Sequence, residues 1–181
     1  MSNNHGITSV TPKVFKPVHT GKAVFPKVAS LLNHSCNPNT SVVVQKDVQI
    51  TYATKTIYPG EEICHIYNNH FADSPKDKRQ AAMLKDYHFQ CSCLACENNY
   101  ELFENLPKHF DNDDYRKADE QSKLAFQAEN YPLATKYQIL KMKIASEHLQ
   151  DPHQILVRER GVLIECIFRQ FGNKTFLTAD K

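Results

Sequence analysis

The chain has 181 residues, and its 22 lysines and arginines nearly cancel 20 acidic residues to leave a net charge of +2. That balance gives no basis for a phosphate-binding surface, so direct nucleic-acid binding is not expected. The 41% apolar content permits a core, yet every apolar run is far shorter than a bilayer crossing needs, and no membrane role is expected.

The opening Met1-Ser2-Asn3-Asn4-His5 lacks an apolar signal stretch, so nothing points to secretion. Six cysteines then read as metal ligands or free thiols rather than disulfides. The expected compartment is the cytoplasm, the nucleus or both. The five glycines, at 6, 21, 60, 161 and 172, are too far apart to form a Gly-x-Gly cofactor loop.

Residues 1–30, broken by Pro12, Pro17 and Pro26, read as a loop-rich entry with short strand pieces. Ala29 to Leu32 predicts one helical turn. Asn37-Pro38-Asn39 is turn chemistry, because a residue before proline is biased away from the helical basin. Ser41 to Val44 and Val48 to Tyr52 are β-branched and aromatic runs flanking a polar turn, which predicts a hairpin. A third strand is expected over Thr54 to Ile57, a turn at Pro59-Gly60, and a short strand from Ile63 to Tyr67. Ser74 reads as the cap of a helix with Pro75 at its first position and Asp77 near its positive end.

Beyond Asn99 the pattern is helical. Residues 111–114 can cap a helix running to about Glu129. Pro132 starts a second helix with Leu133, Tyr137, Leu140 and Ile144 on one face. Asp151-Pro152 begins a third, with Leu156, Leu163, Ile164, Ile167, Phe168 and Phe171 as its apolar set and Gly172 to end it. Short loops predict an antiparallel stack.

Cys91, Cys93 and Cys96 pack three thiols into six residues. A disulfide between Cys91 and Cys93 would close a strained ring, and three thiols so spaced suit a structural zinc ion, which takes four ligands. Residue type leaves the fourth open among Cys36, His34, Cys64, His65 and His88, with Cys36 leading. Cys64 and Cys166 otherwise read as ordinary buried thiols.

Three ordered motifs carry a resemblance: Asn33-His34-Ser35-Cys36-Asn37-Pro38-Asn39; Gly60-Glu61-Glu62-Ile63, then three residues and Tyr67; and Tyr87-His88-Phe89-Gln90-Cys91-Ser92-Cys93-Leu94-Ala95-Cys96. Together they resemble the C-terminal half of a SET domain with its post-SET cysteines, most of all in the SET and MYND domain family of protein-lysine methyltransferases, which use S-adenosylmethionine. The resemblance covers about residues 1 to 100, and the helical tail fits that family's tetratricopeptide-like helices more loosely.

It implies an α+β fold. Residues 1–73 would be the C-terminal half of the SET domain, 74–99 a post-SET helix and zinc segment, and 100–181 a helical region. It implies a pseudoknot, in which the Asn33 loop and the Tyr67 segment thread past one another. Tyr67 would be the active-site tyrosine. Asn33, His34, Tyr67 and Phe89 would hold S-adenosylmethionine, Tyr87 would lie near the lysine channel, and Cys36, Cys91, Cys93 and Cys96 would bind zinc. The partner would be a protein substrate, histone or non-histone, bearing a target lysine, with a further protein partner on the helical tail. The family's Gly-x-Gly strand and MYND finger have no counterpart here. The chain is therefore expected to be a piece of a longer enzyme, or else a SET-like scaffold that recruits partners through its helices.

Overall fold

The computed structural model describes residues 29–45 and 48–171. Its contacts form two compact units: one gathers the described residues up to Ser41 with Thr51–Leu106, the other Val42–Ile50 with the residues from Pro107 onward. Strands and helices are segregated along the sequence, an α+β arrangement. The readings of residues 1–28 and of Gly172 fall outside the described residues.

In the first unit a 3-10 turn at Ala29–Leu31 leads into β1, Asn33–His34. The β-branched runs form β2, Thr40–Gln45, and β3, Val48–Ala53, a paired two-stranded sheet of which Val42–Ile50 is grouped with the second unit. Its open end is closed by the Thr54 N–H on the Asn39 carbonyl at 2.8 Å. The strand expected over Thr54 to Ile57 is absent: the chain bends after Ala53, and Pro59-Gly60 turns it with Gly60 at φ +87°. The strand expected from Ile63 to Tyr67 shrinks to β4, Cys64–His65.

β4 lies parallel to β1, with Asn33 opposite Cys64 and His34 opposite His65. Two residues per strand make a weak ladder, and side chains reinforce it. Asn39 donates to the Glu62 carbonyl at 2.8 Å and accepts from the Cys64 N–H at 2.8 Å, while Thr40 Oγ1 donates to the Cys64 carbonyl at 2.7 Å.

Helix α1 runs from Lys76 to Tyr87 with Asp77 in its first turn. Pro75 occupies the cap position with extended ψ, so Ser74 sits one residue too early to cap and makes no side-chain cap bond. His88 ends the helix in the left-handed region at φ 60°. A short helix α2, Leu94–Glu97, follows. It closes in a Schellman motif: Asn99, at φ 48°, donates to the Cys96 carbonyl and Tyr100 to the Ala95 carbonyl.

The second unit contains α3, Asp113–Gln127, α4, Tyr131–His148, and α5, Gln154–Phe171. Asn112 and Asn130 cap α3 and α4 by accepting the Tyr115 and Leu133 N–H groups. α5 begins at Gln154 rather than at Asp151-Pro152, because His153 takes the capping role: its Nδ1 accepts the Ile155 N–H and its carbonyl the Val157 N–H. α3 packs on α4 and α4 on α5. Tyr115, Ala145, Ile155 and Leu156 form one core cluster; Ala125, Ala134 and Cys166 form another. In α5, Leu156 and Leu163 are buried as expected, joined by Val157 and Cys166, while Phe171 stays exposed.

The face of α4 departs from expectation. Leu133 and Leu140 are 38% and 44% exposed, and the buried stripe is Ala134, Gln138, Lys141 and Ala145. Electrostatic pairing and the small size of alanine decide this. Lys141 Nζ meets Glu159 Oε2 at 2.6 Å and Asp119 Oδ1 at 2.5 Å. Glu159, 1% exposed, also accepts from Gln138 Nε2 at 2.6 Å and from the Tyr115 hydroxyl at 2.7 Å. The two alanines let neighbouring helices approach on either side of this polar centre. Among the described residues no helix is long and apolar enough to cross a membrane.

Candidate metal centre and adjoining aromatic site

The β1–β4 pair brings the loop after β1 beside the segment after α1. The sulfur atoms of Cys36, Cys91, Cys93 and Cys96 all lie within 4.8 Å of one another. Cys36 and Cys96 are 3.6 Å apart, close to the roughly 3.8 Å edge of a tetrahedron with metal–sulfur bonds of about 2.3 Å. Local structure fixes the donors. Cys93 is the cap residue of α2, and its carbonyl accepts the Cys96 N–H at 2.8 Å. Gln80 on α1 clamps the backbone of Cys91, donating to its carbonyl at 2.7 Å and accepting its N–H at 2.9 Å. Of the residues considered for a fourth donor, Cys36 is the one whose ligand atom joins the trio.

Three of the sulfurs face an N–H group. Cys93 accepts the Cys36 backbone N–H at 3.3 Å, Cys36 lies 3.3 Å from His34 Nε2, and Cys96 is 3.8 Å from Arg79 Nη2. Arg79 is only 2% exposed, and its guanidinium also donates to the Phe71 and Ser74 carbonyls. Among the described residues it meets no carboxylate; it faces the cysteine sulfurs, and those contacts raise its pKa against the pull of burial. The thiols titrate against one another. The hydrogen bond with Cys36 draws Cys93 down to about 3, the same contact pushes Cys36 up, and burial pushes Cys91 up to about 12. Four sulfurs this close cannot all ionise without a cation among them. Donor type, spacing, N–H contacts and a buried cation therefore suit a soft divalent ion such as zinc.

Beside the sulfurs stands an aromatic group. The Tyr67 hydroxyl donates to the Leu32 carbonyl at 2.5 Å, which holds the phenol against the residue before Asn33. Burial raises the pKa of that phenol. The Tyr67 ring lies 5.0 Å from Tyr87, whose hydroxyl donates to the Tyr67 carbonyl, and 5.3 Å from His34. Phe89 is 6.3 Å from His34. The Asn33 side chain is exposed and donates through Nδ2 to Glu62 Oε1 at 2.6 Å. His34 is buried, and its Nδ1 accepts the Tyr67 N–H at 3.1 Å, so both ring nitrogens meet protein atoms.

Sequence reasoning missed Arg79, Gln80, Asn39 and Glu62. Arg79 and Gln80 sit on a helix where charged and polar residues are the norm, and no local signal marks them. Asn39 and Gln80 each clasp backbone through one amide, Asn39 across Glu62 and Cys64 and Gln80 on Cys91, which emerges only in three dimensions.

Residues 9–68 match the SET domain family. That matched stretch contains the Asn33 and Tyr67 motifs. Over 82 residues, 45% of this chain, it is 40% identical to protein-lysine N-methyltransferase SMYD4 of Homo sapiens, of which the match covers 10%. It is 33% identical over 116 residues to SMYD4 of Danio rerio, covering 50% of this chain and 15% of that protein. To N-lysine methyltransferase SMYD2 of Bos taurus it is 37% identical over 78 residues, covering 43% of this chain and 17% of that protein. The chain therefore spans a small part of the length of the relatives it matches.

Proposed function

We propose that this chain is a segment of an S-adenosylmethionine-dependent protein-lysine N-methyltransferase, bearing the C-terminal SET half and its post-SET zinc centre. The observation that carries the reading is the parallel β1–β4 pair with the Tyr67 hydroxyl seated on the Leu32 carbonyl. It joins the Asn33 and Tyr67 motifs in one place, as the threaded pseudoknot of that family would require. Zinc, held by Cys36, Cys91, Cys93 and Cys96, would supply a closed structural link between the loop after β1 and the segment after α1.

Bound S-adenosylmethionine supplies an electrophilic methyl group on a sulfonium. The chain's own residues would receive it and aim a neutral lysine amine. Glu62 takes an amide N–H of Asn33, and Asn33 would contact the cofactor near its adenine. Phe89 would offer an apolar face to the adenine, and the backbone of His34 would meet the cofactor, since its ring is engaged. Tyr67 has given its O–H to Leu32, and its raised pKa keeps the phenol protonated at neutral pH. Its oxygen lone pairs then suit an acceptor that orients the amine, with alignment supplying much of the rate. Tyr67 and Tyr87 would flank the lysine stem and its cationic head.

The substrate would be a protein bearing the target lysine, and helices α3–α5, read as tetratricopeptide-like, would engage a protein partner. Cytoplasm, nucleus or both would be its site of action. Calorimetric titration of the chain with S-adenosylmethionine tests this. Micromolar binding that disappears in Asn33→Ala is expected. An absence of heat, with a protein partner still retained, would favour the scaffold reading.

A further inference from the structure

The ring of His34 is a side-chain link between the Cys36 sulfur and the Tyr67 backbone, beside the backbone bonds from the Ser35 N–H to the His65 carbonyl and from the Phe71 N–H to the Cys36 carbonyl. A backbone N–H can only donate, so Tyr67 N–H on Nδ1 at 3.1 Å makes that nitrogen an acceptor. In a neutral imidazole the proton is then on Nε2, which points at Cys36 Sγ at 3.3 Å. The ring is buried, and the β1–β4 register holds His34 opposite His65, two residues before Tyr67. An N–H donor on a metal-bound thiolate draws off part of its charge and orients it.

We infer that His34 is a positioning residue that couples the cysteine cluster to the Tyr67 segment, donating from Nε2 to the Cys36 sulfur while Nδ1 pins the Tyr67 backbone. Metal occupancy and order at Tyr67 rise and fall together through this ring. The inference rests on the reading of the four thiols as a metal site.

The two nitrogens can be tested separately. In His34→Asn the amide oxygen replaces Nδ1, and nothing reaches Cys36. In His34→Gln the amide N–H replaces Nε2–H, and the acceptor for Tyr67 is lost. Cobalt(II) serves as the probe, read by its thiolate charge-transfer absorbance under chelator competition, and the Tyr67 N–H is followed by hydrogen exchange. His34→Asn is expected to lose about 10- to 100-fold in cobalt affinity, the usual effect of removing such a partner, and to retain Tyr67 protection in the metal-bound form. His34→Gln is expected to lose that protection with a much smaller drop in affinity, the share that the Tyr67 link contributes.

Equal losses of both properties in both variants would overturn the assignment, as would no loss in either. Unmodified protein decides the matter if a variant does not fold. Nitrogen-15 spectra should show the Nε2–H tautomer, and cobalt should slow Tyr67 exchange. An Nδ1–H tautomer, or unchanged exchange with the charge-transfer band present, sinks the coupling alone. Absence of that band sinks the metal reading itself.

Discussion

Replacing Lys141 with methionine removes the one cation that lies between Asp119 and Glu159. Asp119 is part-exposed and can rehydrate, but Glu159 is 1% exposed and cannot. Stripping one partner from a buried pair costs roughly 3–5 kcal/mol. Glu159 retains the Tyr115 hydroxyl, Gln138 Nε2 and the half-exposed Arg158, so the lower end applies, about 3 kcal/mol. For a helical unit of this size that is a drop in Tm on the order of 12–24 °C.

The pH dependence gives a second handle on the same variant. In the unmodified chain burial raises the pKa of Glu159, but Lys141, Gln138 and Tyr115 outweigh it and hold the carboxyl below its ordinary range. A depressed carboxyl contributes stability above its unfolded pKa and loses it as pH falls through the folded one. Without Lys141, burial dominates and Glu159 protonates at higher pH, which relieves the penalty. The stability gap should therefore be widest near neutrality and narrow as pH falls through the variant's raised carboxyl pKa, starting above the ordinary carboxylate range. Urea unfolding followed by far-UV circular dichroism at several pH values measures it. A gap under about 1 kcal/mol at neutral pH, the scale of an exposed pair, or one that does not change on acidification, would refute the argument.

Glu129 ends α3 in the left-handed region at φ 55°, donating to the Phe126 carbonyl while Asn130 donates to that of Ala125. Glu129→Gly removes the Cβ strain and should stabilise the second unit by about 1 kcal/mol in the same urea assay. Removing metal with a chelator should open residues 87–97 to protease, read by mass spectrometry of the fragments, and unchanged protection would count against the metal centre. Cobalt affinity should fall as pH is lowered, since Cys91 and Cys36 are held above the ordinary thiol range and must lose their protons to bind. Arg79→Met should weaken cobalt binding and raise the pH at which it half-saturates, because the cation facing Cys96 is gone.

The hairpin could be read from two β-branched runs, and the last three helices from the 111–114 cap, Pro132 and Asp151-Pro152 near their starts, because those signals are local. The cysteine trio could be read from density alone. The facing of α4 could not: apolar periodicity chose Leu133, Tyr137, Leu140 and Ile144, and the outcome was set by Glu159 on another helix. Nor could the start of α1, where Pro75 took the cap position. The fourth thiol at Cys36 stood open by residue type, and what draws it to the trio is the parallel contact between Asn33-His34 and Cys64-His65, which no sequence period marks.

Asn39 performs the work of a missing strand. One primary amide imitates a peptide group, offering a donor to Glu62 and an acceptor to Cys64 in the seat where a third ladder would run. Aspartate has the same outline but no donor, so hydrolysis of that single amide would set a carboxylate oxygen against the Glu62 carbonyl. An otherwise silent chemical ageing event at residue 39 would then unlace the segment leading to the tyrosine.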